Sequence, residues 1–277
     1  LKNITNGKVL ILSDIHQSIG GYVEPILEKE TDWDYIILNG DYLDTLQTPD
    51  GSIIYGVTQT CAWINEKFEE WGDNAIWHIG NHDVSYLASY NKDYIKTRPN
   101  PYYFCSGWTR NKAKYFNKEI NPNWIDKLSL CTQLGKNTIV SHAGFHYNHF
   151  KPYKSELDNI KELSEKWDNE KKTFHIEPWH WIWDVGRFRC GAAIVGSPVW
   201  MDWSEFVPID NIQQVVGHST TRTPSIRCKE NGKKIKNYCI DCMQQTYAIW
   251  ENGKLEIKQL SGEKLINFDD HQTRRLD

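Results

Sequence analysis

The chain has 277 residues, 39% hydrophobic and 25% charged, with a formal net charge of -4, which is enough length and apolar content to bury one sizeable core. The acidic balance excludes broad attraction to nucleic acid or an anionic membrane surface, so an anionic substrate has to be held by a local cluster. No run of about 18 apolar residues is present to span a membrane, and seven cysteines at scattered spacings read as reduced thiols, hence a cytoplasmic setting.

From the N-terminus, the first element is an apolar run, Val9 to Leu12, that carries on from Lys8 and stops at Ser13, unlike a signal peptide. The same pattern returns at Tyr35 to Leu38 before Asn39, Ala75 to Ile79 before Gly80, Thr138 to Val140 before Ser141, and Gln214 to Val216 before Gly217. Short apolar runs bounded by small or polar residues predict buried strands. Between the second and third, Ile53, Ile54, Val57, Cys61, Ile64 and Phe68 recur at spacings of three and four, which predicts a helix with one buried stripe. Strands and helices therefore alternate, as in an α/β architecture. A charged segment, Tyr153 to Lys172, carries Leu157, Ile160, Leu163 and Trp167 at helical spacing and leads into a Trp-rich stretch, His175 to Arg189. Both are read as an insertion, at about residues 145–198 of a single domain, lying beside the site. After Gly217 come short alternating segments, Lys234 to Ile240, Thr246 to Trp250 and Lys254 to Leu260, the last two joined by an Asn252-Gly253 turn. They predict an antiparallel ladder, followed by a polar tail at about 267–277.

Chemistry-bearing residues stand where each strand run stops: Asp14-Ile15-His16, Gly40-Asp41-Tyr42-Leu43-Asp44, Gly80-Asn81-His82-Asp83, Ser141-His142-Ala143-Gly144 and Gly217-His218. The carboxyl ends of strands in α/β sheets are where ligands bind. Carboxylate, imidazole and amide without thiolate suit catalytic Mn, Fe or Zn better than a structural zinc cage. Two cations about 3.5 to 4 Å apart are held most simply by a bridging carboxylate, and Asp41 takes that role.

The order Asp-x-His, Gly-Asp-x-x-Asp, Gly-Asn-His-Asp, His-Ala-Gly, Gly-His, spread over Val9 to Leu260, resembles the calcineurin-like metallophosphoesterase superfamily. The His-Ala-Gly and Gly-His-Ser-Thr forms resemble its phosphoprotein phosphatase branch, which includes bacterial and phage phosphatases and diadenosine tetraphosphatases. The resemblance implies an α/β (α+β) fold, a two-sheet sandwich flanked by helices, and two divalent metal ions, with Mn preferred over Fe or Zn. It implies Asp14, His16 and Asp41 on one metal, and Asp41, Asn81, His142 and His218 on the other, with His82 as general acid oriented by Asp44. Such metals would make hydroxide from bound water near neutral pH and neutralise phosphoryl charge, while a protonated imidazole supplies the leaving group's proton.

Two departures stand out. Thr45 occupies the place where many members of that branch carry a phosphate-gripping Arg, so Arg187, Arg189 and Arg222 are the candidates for that work. The first two are favoured by their place ahead of Val199-Trp200-Met201-Asp202, which resembles a Trp-Ser-Asp segment of the family. Thr220 stands where nuclease and cyclic-nucleotide members have a second histidine, which favours monoesters. The expected activity is hydrolysis of a phosphate monoester, on phosphoprotein or a small phosphorylated metabolite. Hydrolysis of a dinucleoside polyphosphate or phosphodiester, and a catalytically silent binding module, are the alternatives.

Other features have simpler readings. His146 and His149 lack the Glu of a metalloprotease motif, His175 and His180 suit packing, and the alternation in Cys239-Ile240-Asp241-Cys242 sends its cysteines to opposite faces of a strand. The segment Pro99 to Phe116 mixes aromatic and basic residues that could stack bases, though a packed loop with a solvated edge is the better reading. Trp179, Trp181 and Trp183 alternate as in a half-buried strand or as a lid whose rings contact the substrate, and the lid is the preferred reading.

Overall fold

The computed structural model describes residues 1–45, 56–90, 105–174, 179–228 and 235–261. Its strands are β1 (Lys2–Ile4), β2 (Lys8–Ser13), β3 (Tyr35–Asn39), β4 (Ala75–Trp77), β5 (Cys131–Leu134), β6 (Thr138–Ser141), β7 (Gln213–Val216), β8 (Ser225–Arg227), β9 (Asn237–Cys239), β10 (Thr246–Glu251) and β11 (Lys254–Gln259). They form two sheets, of order β11-β10-β2-β3-β4 and β1-β5-β6-β7-β9-β8. The adjoining strands β2, β3 and β4 are parallel, as are β6, β7 and β9, so within each trio the strands end on one side. The helices are α1 (Glu24–Lys29), α2 (Val57–Trp71), α3 (Asn81–Tyr90), α4 (Arg110–Glu119), α5 (Pro122–Lys127) and α6 (Glu156–Glu170).

Continuous apolar runs form these central strands because both of their faces are buried. Val9, Ile11, Ile37 and Ile76 of one sheet meet Leu134, Val140 and Val215 of the other in one apolar cluster. Leu10, Leu12, Ile36 and Leu38, pointing the other way, join Cys61 and Ile64 of α2 and Val84 of α3 in a second. Each such fully buried side chain contributes about 1.5 to 3 kcal/mol relative to exposure. The arrangement is the two-sheet sandwich flanked by helices.

The aromatic surplus goes largely into this packing. Trp77 stacks on Trp71 at 6.2 Å and meets Trp63, Trp124 and Tyr42 edge-on or tilted, between 5.7 and 6.4 Å. The Tyr42 hydroxyl donates to the carbonyls of Leu38 and His78 at 2.9 and 3.0 Å, which pins the loop after β3 to this cluster.

Some expectations are corrected. Among the described residues of the Trp-rich stretch, the three alternating tryptophans form no strand: Trp181–Trp183 is a single 3-10 turn. There the Trp181 indole donates to Glu170 at the end of α6, and Trp183 lies 5.4 Å from Phe174. β1, β5 and β8 were not legible because they are three or four residues long and carry polar side chains. Thr132 of β5 is nevertheless fully buried, its hydroxyl meeting His78 Nε2 at 2.8 Å. Ile53, Ile54, the residues 99–104, His175, Lys234 and the tail at 267–277 lie outside the described residues. Among the described residues, no helix is long and apolar enough to cross a membrane.

Candidate metal centre

The loops after β2 and β3 stay zipped beyond the strands themselves. The His16 and Gln17 N–H groups donate to the carbonyls of Asp41 and Tyr42 at 2.6 and 3.0 Å. Asp14, His16, Asp41, Asp44 and His218 all have left-handed backbone, with φ between 43° and 65°. Such conformations are costly for residues other than Gly and persist where surrounding contacts impose them. The glycines beside them are required by close approach: a Cβ on Gly217 would strike Ser13 Oγ and the Asp14 carboxylate, and one on Gly80 would strike Asp41.

The geometry centres on Asp41. Its Oδ2 lies 3.7 Å from His16 Nε2 and 3.4 Å from His142 Nε2, so two imidazoles approach one carboxylate oxygen. The orientation of both rings follows from their other nitrogens, since a carbonyl can only accept. His16 Nδ1 donates to Asp44 O at 2.8 Å and His142 Nδ1 to Asn39 O at 2.8 Å, which turns each Nε2 toward the centre, where it offers a lone pair once a cation displaces its proton. Asn81 Oδ1 is 3.0 Å from His142 Nε2, while its Nδ2 donates to Cys105 Sγ at 3.2 Å. His218 Nδ1 is 3.2 Å from His142 Nε2. Its Nε2 is buried with no hydrogen-bond partner among the described residues.

Two triads of mutually close ligand atoms result, His16-Asp41-His82 and Asp41-His142-His218, sharing Asp41. Asp14 belongs to neither: both of its oxygens accept the His218 backbone N–H at 3.0 Å, and Ser13 Oγ donates to it. Electrostatics explains why such a cluster suits cations. Burial, then the neighbouring Asp241 carboxylate, raises the Asp14 carboxyl. Burial would raise Asp41 too, but the imidazoles of His142, His82 and His16 outweigh it and hold Asp41 well below the usual carboxylate range. Burial, then Arg189, holds His218 well below the usual imidazole range, so it presents neutral nitrogens. Unpartnered buried imidazole nitrogen, crowded lone pairs and desolvated carboxylates are what a divalent cation satisfies, so these residues fit the implied metals.

The acid candidate lies alongside. The His82 backbone N–H donates to Asp41 Oδ1 at 2.9 Å, at the start of α3, and its Nδ1 meets Asp44 Oδ2 at 3.1 Å. Of the arginines among the described residues, only Arg189 bonds to the cluster: Nη2 donates to His218 O at 3.1 Å and Ser219 Oγ at 3.2 Å, and Nε to Asp202 at 2.8 Å. Arg187 and Arg222 are exposed, and among the described residues neither bonds to a candidate ligand.

Several partners escaped the sequence reading. Asp83 follows the acid candidate in its motif, and its carboxylate accepts the N–H groups of Gly80, Asp41 and Tyr42 at 2.8 to 3.0 Å and so shapes the Asp41 loop. Asp241, just past β9, is buried and accepts from Thr220 Oγ1 at 2.8 Å. Gln244 donates to Asp14 O at 3.1 Å. A signal for Asp241 was present, since it too follows a strand run on a strand parallel to β7.

A sequence profile for calcineurin-like phosphoesterases matches residues 7–222. The chain belongs to that family. It is a metal-dependent phosphoesterase. No curated protein matches its sequence. Among solved structures, a cold-active protein tyrosine phosphatase shares the fold with a TM-score of 0.60 and 13% identity, over 95% of this chain and 80% of that one. The cold-active protein-tyrosine phosphatase of a psychrophile, Shewanella sp., gives 0.58 and 13%, over 95% and 81%. At such identity the likeness is one of fold.

Proposed function

We propose that this phosphoesterase hydrolyses phosphate monoesters with two divalent cations, Mn by preference, held by Asp14, His16, Asp41, Asn81, His142 and His218, and with His82 as general acid. The observation that carries the reading is the approach of His16 Nε2 and His142 Nε2 to the single oxygen Asp41 Oδ2, with the His82 backbone N–H on the other oxygen of the same carboxylate. When bound, the two cations would lower the pKa of water and offset charge on the phosphoryl oxygens. The protein groups have separate tasks. Asp44, as a hydrogen-bond acceptor for Nδ1–H, fixes the His82 ring and favours its imidazolium form, in which Nε2 carries the transferable proton. Arg189, braced by Asp202, supplies a guanidinium beside His218 in place of the Arg that Thr45 replaces. Thr220 is occupied by Asp241, which supports the monoester preference.

Turnover of para-nitrophenyl phosphate against its bis-ester, with added Mn, tests the reading. Preference for the monoester, with losses of about a hundredfold or more in Asp41→Asn and His82→Ala, is the expected result. Faster cleavage of the bis-ester overturns the monoester assignment, and unchanged turnover in Asp41→Asn overturns the metal assignment.

A further inference from the structure

The basic segment after residue 104 has the expected solvated edge at Arg110, Lys114 and Tyr115, but its Lys112 reaches the carboxylate that holds the acid. Helix α4 is capped by Thr109, whose hydroxyl accepts the Lys112 N–H at 3.2 Å. From that first turn the Lys112 ammonium donates to Gly107 O at 2.7 Å and to Asp44 Oδ1 at 3.1 Å. Gly107 itself presses on Asp44: its φ is +90°, and a Cβ there would lie 3.0 Å from Asp44 Cβ. The Tyr86 hydroxyl, one turn along α3 from His82, donates to the same Oδ1 at 2.6 Å. Oδ2 is left to His82 Nδ1, and the Asp44 side chain is wholly buried.

A carboxylate held by one donor turns readily about its last torsion, because that torsion is broad. Three donors divided between its two oxygens fix its plane, and the plane of Asp44 sets the direction of the His82 ring. We propose that Lys112 is a positioning residue of the phosphoesterase reaction: with Tyr86 it locks Asp44 so that His82 is aimed at the leaving-group oxygen. The inference rests on His82 being the acid. It explains why a cation stands here although Thr45 has displaced the expected Arg nearby. Lys112 is committed to Asp44 and to a carbonyl, so it acts through the acid and not by gripping phosphate.

Esters that differ in their need for a proton separate this role from a merely structural one. Phenyl phosphate expels a poor leaving group, whereas dinitrophenyl phosphate expels an anion that is stable without protonation. Lys112→Met is expected to lower kcat on phenyl phosphate by about tenfold and on dinitrophenyl phosphate by less than about threefold, with KM unchanged, the scale set by misorienting a catalytic group. Lys112→Arg restores most of the loss, and Tyr86→Phe shows the same leaving-group dependence. Equal losses on both esters in Lys112→Met, or none, while His82→Ala shows the dependence, overturn the inference and leave the acid assignment standing. Equal losses on both esters in His82→Ala overturn the acid assignment, and this inference with it.

Discussion

Two buried histidines lean on opposite ends of one residue, Asn39. His78 Nδ1 meets the Asn39 side-chain oxygen at 2.8 Å and its Nε2 meets Thr132 Oγ1 at 2.8 Å, so both nitrogens are used within the sandwich. Burial lowers its pKa to about 3, and it stays neutral. His142 spends Nδ1 on the Asn39 carbonyl, but its Nε2 faces Asn81, His218 and Asp41. Burial would lower it as well, yet Asp41 raises it to about 10. A buried histidine with two neutral partners is a structural strut. One with a carbonyl behind it and a carboxylate, an amide and a second imidazole ahead has the surroundings that could hold a cation, the role proposed for His142.

The contrast breaks most sharply at Asp41. Asp41→Asn is expected to cost about a hundredfold or more in turnover. It should also lower the melting temperature in chelator, because it leaves the imidazoles of His142 and His16 without their carboxylate partner, yet the chain should still fold. A loss of fold instead of activity would place Asp41 with the struts. Metal removal comes next: chelation abolishes turnover, and restoring Mn at a hundred times its Kd stabilises by about 2.7 kcal/mol, read as a rise in melting temperature. His218→Ala should blunt that rise, since its orphaned nitrogen is among the proposed ligands. On the other side, His78→Leu strands the Asn39 side-chain oxygen and the Thr132 hydroxyl and should cost about 2 to 3 kcal/mol in a urea melt. Turnover at low temperature should fall far less than in Asp41→Asn.

The smallest effect is expected at a third kind of buried polar group, remote in role from catalysis. Glu30 accepts from Lys258 at 2.7 Å, Tyr247 at 2.9 Å and Lys8 at 3.2 Å. Burial works to raise its carboxyl, and these three donors outweigh it, so the folded pKa lies below the ordinary glutamate value. The stability this contributes is present above the unfolded pKa and is lost as pH falls through the folded one. Glu30→Gln should therefore cost about 1 kcal/mol near neutral pH, with the gap to wild type closing in acid melts.

What could be read from the sequence was local. Each strand run ends at a small or polar residue, and the ligand candidates follow it directly, because the backbone must turn there and cannot continue burying apolar side chains. That punctuation, repeated from Ser13 to Gly217, disclosed the core strands, the order of Asp14, His16, Asp41, Asn81, His142 and His218, and the family. The folded chain decided what depends on distant segments. Asp14 is capped by an amide 204 residues away, and Lys112 finds an aspartate 68 residues before it. Arg189 is singled out from Arg187 and Arg222 by its bond to the His218 carbonyl. Periodicity records only which side of an element is apolar, whereas these contacts follow from how two sheets and a helix cap pack together, and no single segment of sequence carries that information.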